Sequence, residues 1–466
     1  MRQLIKSSFV VLTILFFNYN LIAQDAVQKI EQLIEANVKS SKPFSGSILV
    51  AQKGKIIYRG AFGLSDLKEG NKNTVDSKYF IGSITKVFTA VAILQLVEDK
   101  KIALTDKLSK WLPEINGSDK ITIHHLLTHS SGLRRDSHQD YNAEVTYQER
   151  LFSIKNDTLE FEPGEKESYS SVGFYALTYI LETVSEMKFE EYFKENIFIP
   201  AKMNNTGVKK TKNQKIEGLS IGIGNMTDAY GVNDIGPATY FDSYSFAGGG
   251  SLYSTIDDMY AFYNALEKGK LLSYNTVRMM KLKWSVKKEN KNSRLYHSYG
   301  WEIYDYSSDK GPFLMIDFAG KIYGYKTMIR YYENDDIQII ALCNSDFSER
   351  SILGWNIRRI LLNQEYELPT PAPENIEVNI KEMKKHEGDY DFPSEETTVE
   401  IKIINGRLTL TSHGDDPIYL YPIDKNTFYA KLVPLKITFE DTSENKTQKL
   451  EFNIDNELIE TLNRIK

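Results

Sequence analysis

The sequence predicts an α+β fold, an α/β sandwich in which an antiparallel sheet is flanked by helices and carries a helical region, followed by a small all-β barrel. Three observations predict it. Strand-like runs stand at both ends of a long segment whose middle has mostly helical spacing. A stretch of alternating prolines then interrupts the chain. Beyond it, short alternating runs recur with hairpin signals. At 466 residues and 41% hydrophobic content, the chain can bury one large core and a second domain.

In order, Arg2 and Lys6 precede an apolar run from Phe9 to Phe17 and then Leu21-Ile22-Ala23-Gln24. Residues 1–24 therefore read as a secretory signal peptide, since the run falls short of the roughly 20 residues that a membrane span needs. Export to the periplasm or beyond the cell is the expectation, with a retained membrane anchor as the alternative. No cysteine follows Ala23 or Gln24, which disfavours a lipid anchor. Residues 25–364 form the first domain. Val27 to Val38 is helical, Ser47–Ala51 and Ile56–Ala61 are strands turning at Lys53-Gly54, and Phe313–Asp317, Tyr325–Tyr332 and Asp336–Asn344 are strands before a helix from Ser348 to Leu362. The sheet should be closed by the two ends of this segment. Residues 365–375, with Pro369, Pro371 and Pro373, read as an extended spacer without internal hydrogen bonds. Residues 376–466 form the barrel, with the clearest hairpin at Asn405-Gly406, where both residues tolerate positive φ.

Net charge is −6, and −8 once Arg2 and Lys6 leave with the signal, so nothing favours nucleic acid or an anionic membrane as partner. The sole cysteine, Cys343, lies in an apolar run and reads as a small core residue. His124, His125 and His129 lack a third ligand at metal spacing and read as structural, so neither metal nor cofactor is expected.

The residues that point to chemistry are Ser83 and Lys86, at the start of a helix that is apolar nearly all round. Three residues apart, they share one face. An amine placed among apolar side chains needs a partner or a task. Burial and the positive helix N-terminus both disfavour the ammonium, which would let Lys86 act as a base beside a nucleophilic Ser83.

Ser83-Ile84-Thr85-Lys86 resembles the Ser-x-x-Lys motif of the serine β-lactamases and penicillin-binding proteins, most closely class C β-lactamases with their D-peptidase and esterase relatives. The resemblance covers about residues 40 to 362. It rests also on Phe44 to Val50, Leu126 to Leu133 and the glycine-rich Ala247 to Thr255. It implies that Tyr169, in Tyr169-Ser170-Ser171, shuttles protons between serine and leaving group. Such a phenol would need cations such as Lys86 nearby to serve as a base. Ser171 stands where the family has a substrate-binding asparagine. Phe318-Ala319-Gly320 resembles the third motif without its polar first residue, which places Phe318 and Gly320 at the substrate and disfavours ordinary β-lactam hydrolysis. Backbone N–H groups of Ser83 and Lys321 would form the oxyanion hole. The implied activity is acyl transfer from a D-amino-acid peptide, a peptidoglycan stem fragment or an ester. The alternatives are a non-catalytic sensor or binding protein that keeps the fold, and a class C type β-lactamase. The C-terminal barrel resembles the lipocalin-like appendage of some relatives, expected to shape the cleft or bind ligand or wall material.

Overall fold

The computed structural model describes residues 24–465, apart from 291–292, 308–311, 413, 444–445 and 455–456. The expected signal peptide lies outside the described residues except for Gln24, which begins a helix over residues 24–38. Among the described residues no helix is long and apolar enough to cross a membrane. The chain divides into two compact units. One holds the described residues up to Glu35 with Phe44–Gly222 and Tyr240–Glu367, and the other holds Ala36–Pro43, Ile223–Thr239 and the chain from Leu368 onward.

In the first unit an antiparallel sheet runs in the order Ser285–Asn290, Ser293–His297, Glu302–Tyr306, Phe313–Ile322, Tyr325–Tyr332, Ile337–Cys343, Gly46–Gln52, Lys55–Phe62. Gly46–Gln52 pairs with Ile337–Cys343 in the register Ile48↔Ala341, so the two ends of the segment do close the sheet. Both strands are buried almost throughout, because helices cover both faces and leave no side for polar residues. Leu49, Ile329, Ile340 and Leu342 face the main core. On the other face Met328 and Arg330 lie under Gly354 of the helix Arg350–Leu361. The first three strands of the order carry no apolar alternation that would announce them. Ser285–Asn290, for example, is exposed at Lys287, Lys288, Glu289 and Asn290.

Asp317 and Arg330 sit opposite each other on neighbouring strands, both buried. Two hydrogen bonds join them, Nε to Oδ1 at 3.2 Å and Nη2 to Oδ2 at 3.0 Å. Ser351 gives the guanidinium two further acceptors. Charges removed from water this completely survive only when paired.

The second unit contains a closed barrel of eight antiparallel strands between Gly388 and Arg464. Closure is made by Thr409↔Tyr419 and Leu410↔Ile418. Asn405 (φ 48) and Gly406 (φ 74) turn the expected hairpin. The interior is filled by Tyr390, Leu408, Phe428, Ile437, Phe439, Leu450 and Leu462. Buried His386 stacks on Phe439 with ring centres 4.1 Å apart. One feature differs from the sequence reading. Residues 223–237 were expected in the first domain, yet they form a hairpin, Ile223–Thr227/Asn233–Pro237, that extends the barrel sheet through Asn233 and Ile418. Tyr419 and Tyr421 donate to Asp228 and Asp234 on it, at 2.6 and 2.5 Å. Pairing across so long a separation leaves no local periodicity to read. In the proline stretch Ala372 N–H donates to the Lys39 carbonyl at 2.7 Å.

Replacing Arg330 by Met should destabilise the protein by about 3–5 kcal/mol, because Asp317 is left as an unpaired buried carboxylate. The double variant Arg330→Met/Asp317→Leu should recover most of that loss. Urea unfolding of the three proteins measures both outcomes.

Candidate active site

Ser83 lies half-buried in a single 3₁₀ turn, Gly82–Ile84, that runs directly into the helix Thr85–Glu98. That helix is buried without a break from Thr85 to Leu94, as its uniform apolarity implied. Val87, Phe88, Val91, Ile93 and Leu94 each gain about 1.5–3 kcal/mol on burial. Together they offset the several kcal/mol that one buried amine costs. Lys86, 3% exposed, donates to the Gly249 carbonyl at 2.6 Å and to Ser83 Oγ at 3.2 Å. Tyr169 OH donates to the same Ser83 Oγ at 2.8 Å. The three residues expected to handle protons therefore meet at one oxygen.

Burial pushes the Lys86 amine down to about 7, with Asp136 opposing and Arg135 assisting. Burial pushes the Tyr169 phenol up to about 12, and neither its hydrogen bond to Ser83 nor the charge of Arg135 reverses this. The two groups are thus driven in opposite directions, the amine toward its neutral form and the phenol toward keeping its proton. A tyrosinate base, the role that nearby cations would have allowed, is not what this environment favours.

The surroundings explain the glycines. A Cβ on Gly248 would meet Thr89 Oγ1 at 2.3 Å and Thr178 Oγ1 at 2.5 Å, and one on Gly249 would press on Tyr175 at 2.9 Å. The Ala247–Gly250 turn can therefore place its carbonyls on Lys86 and on Thr89, whose hydroxyl donates to Gly248 O at 2.7 Å. Gly320 lies against the turn that carries Ser83. A Cβ there would fall 1.9 Å from the Ile81 carbonyl, which already accepts from Thr327 Oγ1 at 2.9 Å. Gly82 adopts φ +53, and its Cβ would stand 3.1 Å from the backbone N of Lys321. The backbone of Lys321 and the turn of Ser83 are thus held side by side.

Phe318 differs from the expectation of a substrate contact. It is 5% exposed, with its ring against Trp301 at a centroid distance of 3.9 Å, because a large apolar ring on this strand is driven into the core. Ser171 begins the helix Ser171–Ser185, which Ser170 caps, and its N–H donates to the Arg135 carbonyl at 2.8 Å. His124 Nδ1 meets Tyr299 OH at 2.8 Å, while His125 and His129 use ring nitrogens on the backbone. Thr122 N–H donates to His125 Nδ1 at 3.3 Å and Ser170 N–H to His129 Nδ1 at 3.1 Å.

Sequence reasoning missed the groups behind and above Tyr169. His129 stacks on its ring at 4.4 Å, and burial holds that imidazole well below its usual pKa. His297 lies beyond, 4.8 Å from the His129 ring, with Nδ1 on Glu167 at 2.6 Å and Nε2 on Glu302 at 3.1 Å. Burial opposes its charge, but the two carboxylates raise its pKa. The Arg135 guanidinium lies over the outer side of the Tyr169 ring, 5.0 Å from its centre. No local pattern joins residues 129, 135, 167, 297 and 302, so only folding reveals them together.

A serine-bearing turn between an antiparallel sheet and a helical region, with lysine and tyrosine converging on that serine, defines the class as a β-lactamase-type serine hydrolase fold. Residues 30–363 match the beta-lactamase family, and the chain belongs to that family. It is 27% identical over 422 residues to Penicillin-binding protein 4* of Bacillus subtilis strain 168, covering 85% of this chain and 90% of that protein. It is 32% identical over 237 residues to the Putative penicillin-binding protein PbpX of the same strain, covering 51% of this chain and 58% of that protein. An octameric penicillin-binding protein homologue from Pyrococcus abyssi shares the fold with a TM-score of 0.64 and 23% identity, over 94% of this chain and 99% of that one. So does a D-amino acid amidase from Ochrobactrum anthropi SV3, with a TM-score of 0.62 and 21% identity over 73% and 99%.

The amine of Lys86 makes stability depend on pH. Its folded value of about 7 lies below the ordinary lysine value of 10.5, so between these limits the unfolded chain binds the extra proton and stability rises with pH. Below about pH 7 the burial cost is fully present. Lys86→Met should flatten this rise, read as unfolding free energy against pH from 6 to 10.

Proposed function

We propose that this protein is an exported serine hydrolase that cleaves a small amide or ester through an acyl-enzyme on Ser83. Its substrate would be a D-amino-acid peptide, a peptidoglycan stem fragment or an ester. The observation that carries the reading is the convergence of Lys86 and Tyr169 on Ser83 Oγ, with their proton affinities driven apart.

In the proposed reaction neutral Lys86 accepts the Ser83 proton as Oγ attacks the carbonyl carbon. The N–H groups of Ser83 and Lys321 hold the developing oxyanion. Tyr169 donates its proton to the departing nitrogen or oxygen, and the proton taken up by Lys86 then returns to the Tyr169 phenolate. Water then attacks the acyl carbon and gives its proton to neutral Lys86, while the departing Ser83 Oγ takes the proton of Tyr169, which Lys86 restores. Gly320 supports the reading by bringing the Lys321 backbone to the nucleophile. Ser171 would meet the substrate with a shorter side chain than asparagine has. Phe318 supplies no polar group to a substrate, which argues against β-lactam hydrolysis as the activity. Phe318 and Ser171 also favour a second reading, a binding protein that keeps the fold and acylates without turnover. Export rests on the character of residues 1–24.

Intact-protein mass after incubation with a fluorophosphonate and, separately, a penicillin tests the nucleophile. A wild-type adduct that disappears in Ser83→Ala is expected with the fluorophosphonate. Absence of any adduct would move the assignment to the binding protein. Tyr169→Phe should lower amide turnover by about 10²–10⁴-fold. It should slow p-nitrophenyl butyrate hydrolysis much less, because p-nitrophenolate leaves without a proton. An equal loss on both substrates would remove Tyr169 from the role of acid.

A further inference from the structure

The chain beside Tyr169 is held at three neighbouring points. Glu167 accepts from His297 Nδ1 at 2.6 Å, Ser168 N–H donates to the His129 carbonyl at 2.9 Å, and Ser170 N–H donates to His129 Nδ1 at 3.1 Å. His129 stacks on the Tyr169 ring from a φ of 56, a left-handed conformation that is uncommon outside glycine. Because its Nδ1 accepts a backbone N–H, this ring is neutral and carries its proton on Nε2.

His297 is in the opposite state. Its two nitrogens both face carboxylates, Nδ1 on Glu167 and Nε2 on Glu302 at 3.1 Å, and only the imidazolium donates from both. The His297 side chain is 4% exposed and that of Glu167 7%, so the charge is almost wholly removed from water. Lys287 reaches the same Glu302 Oε1 at 2.6 Å, and Tyr304 OH donates to Glu302 Oε2 at 3.0 Å. Burial would raise the Glu302 carboxyl, yet His297 and Lys287 hold it down to about 2. A buried ion pair is often no more stabilising than apolar packing, so its presence behind Tyr169 calls for another role.

We propose that His297 is a positioning residue for the proton donor, tying the chain that carries Tyr169 to the sheet so that the phenol stays on Ser83 Oγ. The inference rests on the acyl-enzyme reading given above. His297 ends the strand Ser293–His297 and Glu302 begins the strand Glu302–Tyr306 opposite it in register, so this side of the clamp belongs to the sheet. Residues 166–170 belong to no helix or strand, and Tyr169 depends on such anchors for its place. Its OH donates to Ser83 Oγ at 2.8 Å, and a shift of about 1 Å takes that bond out of hydrogen-bonding range. The groups facing His297 are Glu167 from the Tyr169 chain, Glu302 with Lys287 and Tyr304 behind it from the sheet, and the rings of His129 and Tyr169. When His297 loses its proton, one donor is left between two carboxylates, and the clamp opens on one side.

The test compares p-nitrophenyl butyrate with butyryl p-nitroanilide, which gives the same acyl-enzyme but needs a proton on its leaving nitrogen. Only kcat/KM is compared, because it covers acylation and not the shared release of the acyl group. His297→Gln should lower it by about 10- to 100-fold for the anilide and by less than about threefold for the ester. Added to Tyr169→Phe, it should change the anilide no further. Glu167→Gln should show the same selectivity, and it carries the test if His297→Gln does not fold. In wild type the anilide-to-ester ratio should fall as pH rises above the ordinary histidine value of 6.5, since the carboxylates raise the pKa of His297 against the effect of burial. Lys86 serves both substrates and cancels in the ratio, which should be flat in His297→Gln. An equal loss on both substrates, or losses that multiply with those of Tyr169→Phe, would mark a merely structural residue and overturn the inference. Ser83-dependent hydrolysis of the ester with none of the anilide would also overturn it, while leaving the acyl-enzyme reading intact. No Ser83-dependent hydrolysis of either substrate would overturn both.

Discussion

The burial of one amine among apolar side chains is the constraint on which the site depends. Lys86 stands in a helix whose neighbours are buried on every side, and water is not available to it as a partner. The fold must therefore bring acceptors to the amine. It does so with a glycine turn that only residues without a Cβ can make, because Thr89, Thr178 and Tyr175 occupy the space. The same desolvation that makes those acceptors necessary lowers the pKa of the amine to about 7 and raises that of Tyr169 to about 12. Structural cost and chemical competence here have a single physical source.

A second constraint acts on the sheet. The strand Phe313–Ile322 approaches the turn of Ser83 so closely that Gly320 tolerates no side chain, and Thr327 on the next strand holds the Ile81 carbonyl from the same direction. Two positions before Gly320 the strand turns Phe318 into the core against Trp301, and one further back Asp317 is locked to Arg330. The strand is fixed by packing and by a buried ion pair along its length. Its backbone is then a fixed rail beside Ser83. Rigidity of this kind holds hydrogen-bond donors in place without reorganisation.

Much of the site was legible. Ser83 and Lys86 could be paired because helical geometry fixes which residues share a face, and an apolar helix leaves the amine conspicuous. The hairpin at Asn405-Gly406 was legible for a similar reason, since two residues that accept positive φ stand between alternating runs. The exposed strand Ser285–Asn290 was not, because its charged residues carry no period of two. His297 and its carboxylates Glu167 and Glu302 come from separate elements, and nothing local connects them. The same holds for the hairpin Ile223–Thr227/Asn233–Pro237, which joins the barrel sheet through a pairing far away in sequence.

By itself, the sequence determined the sheet closed by the two ends of its segment, the barrel after the prolines and the pairing of Ser83 with Lys86, and the family resemblance added Tyr169. The first three depend on local periodicity, turn chemistry and spacing along a helix. Only the tertiary structure decided that Phe318 packs inward and that Arg135 rather than Lys321 lies over the Tyr169 ring. It also decided that burial raises the Tyr169 phenol to about 12. Each of these depends on what surrounds a side chain in space. Desolvation and pairing of charges are properties of an environment, and an environment exists only once the chain has closed around it.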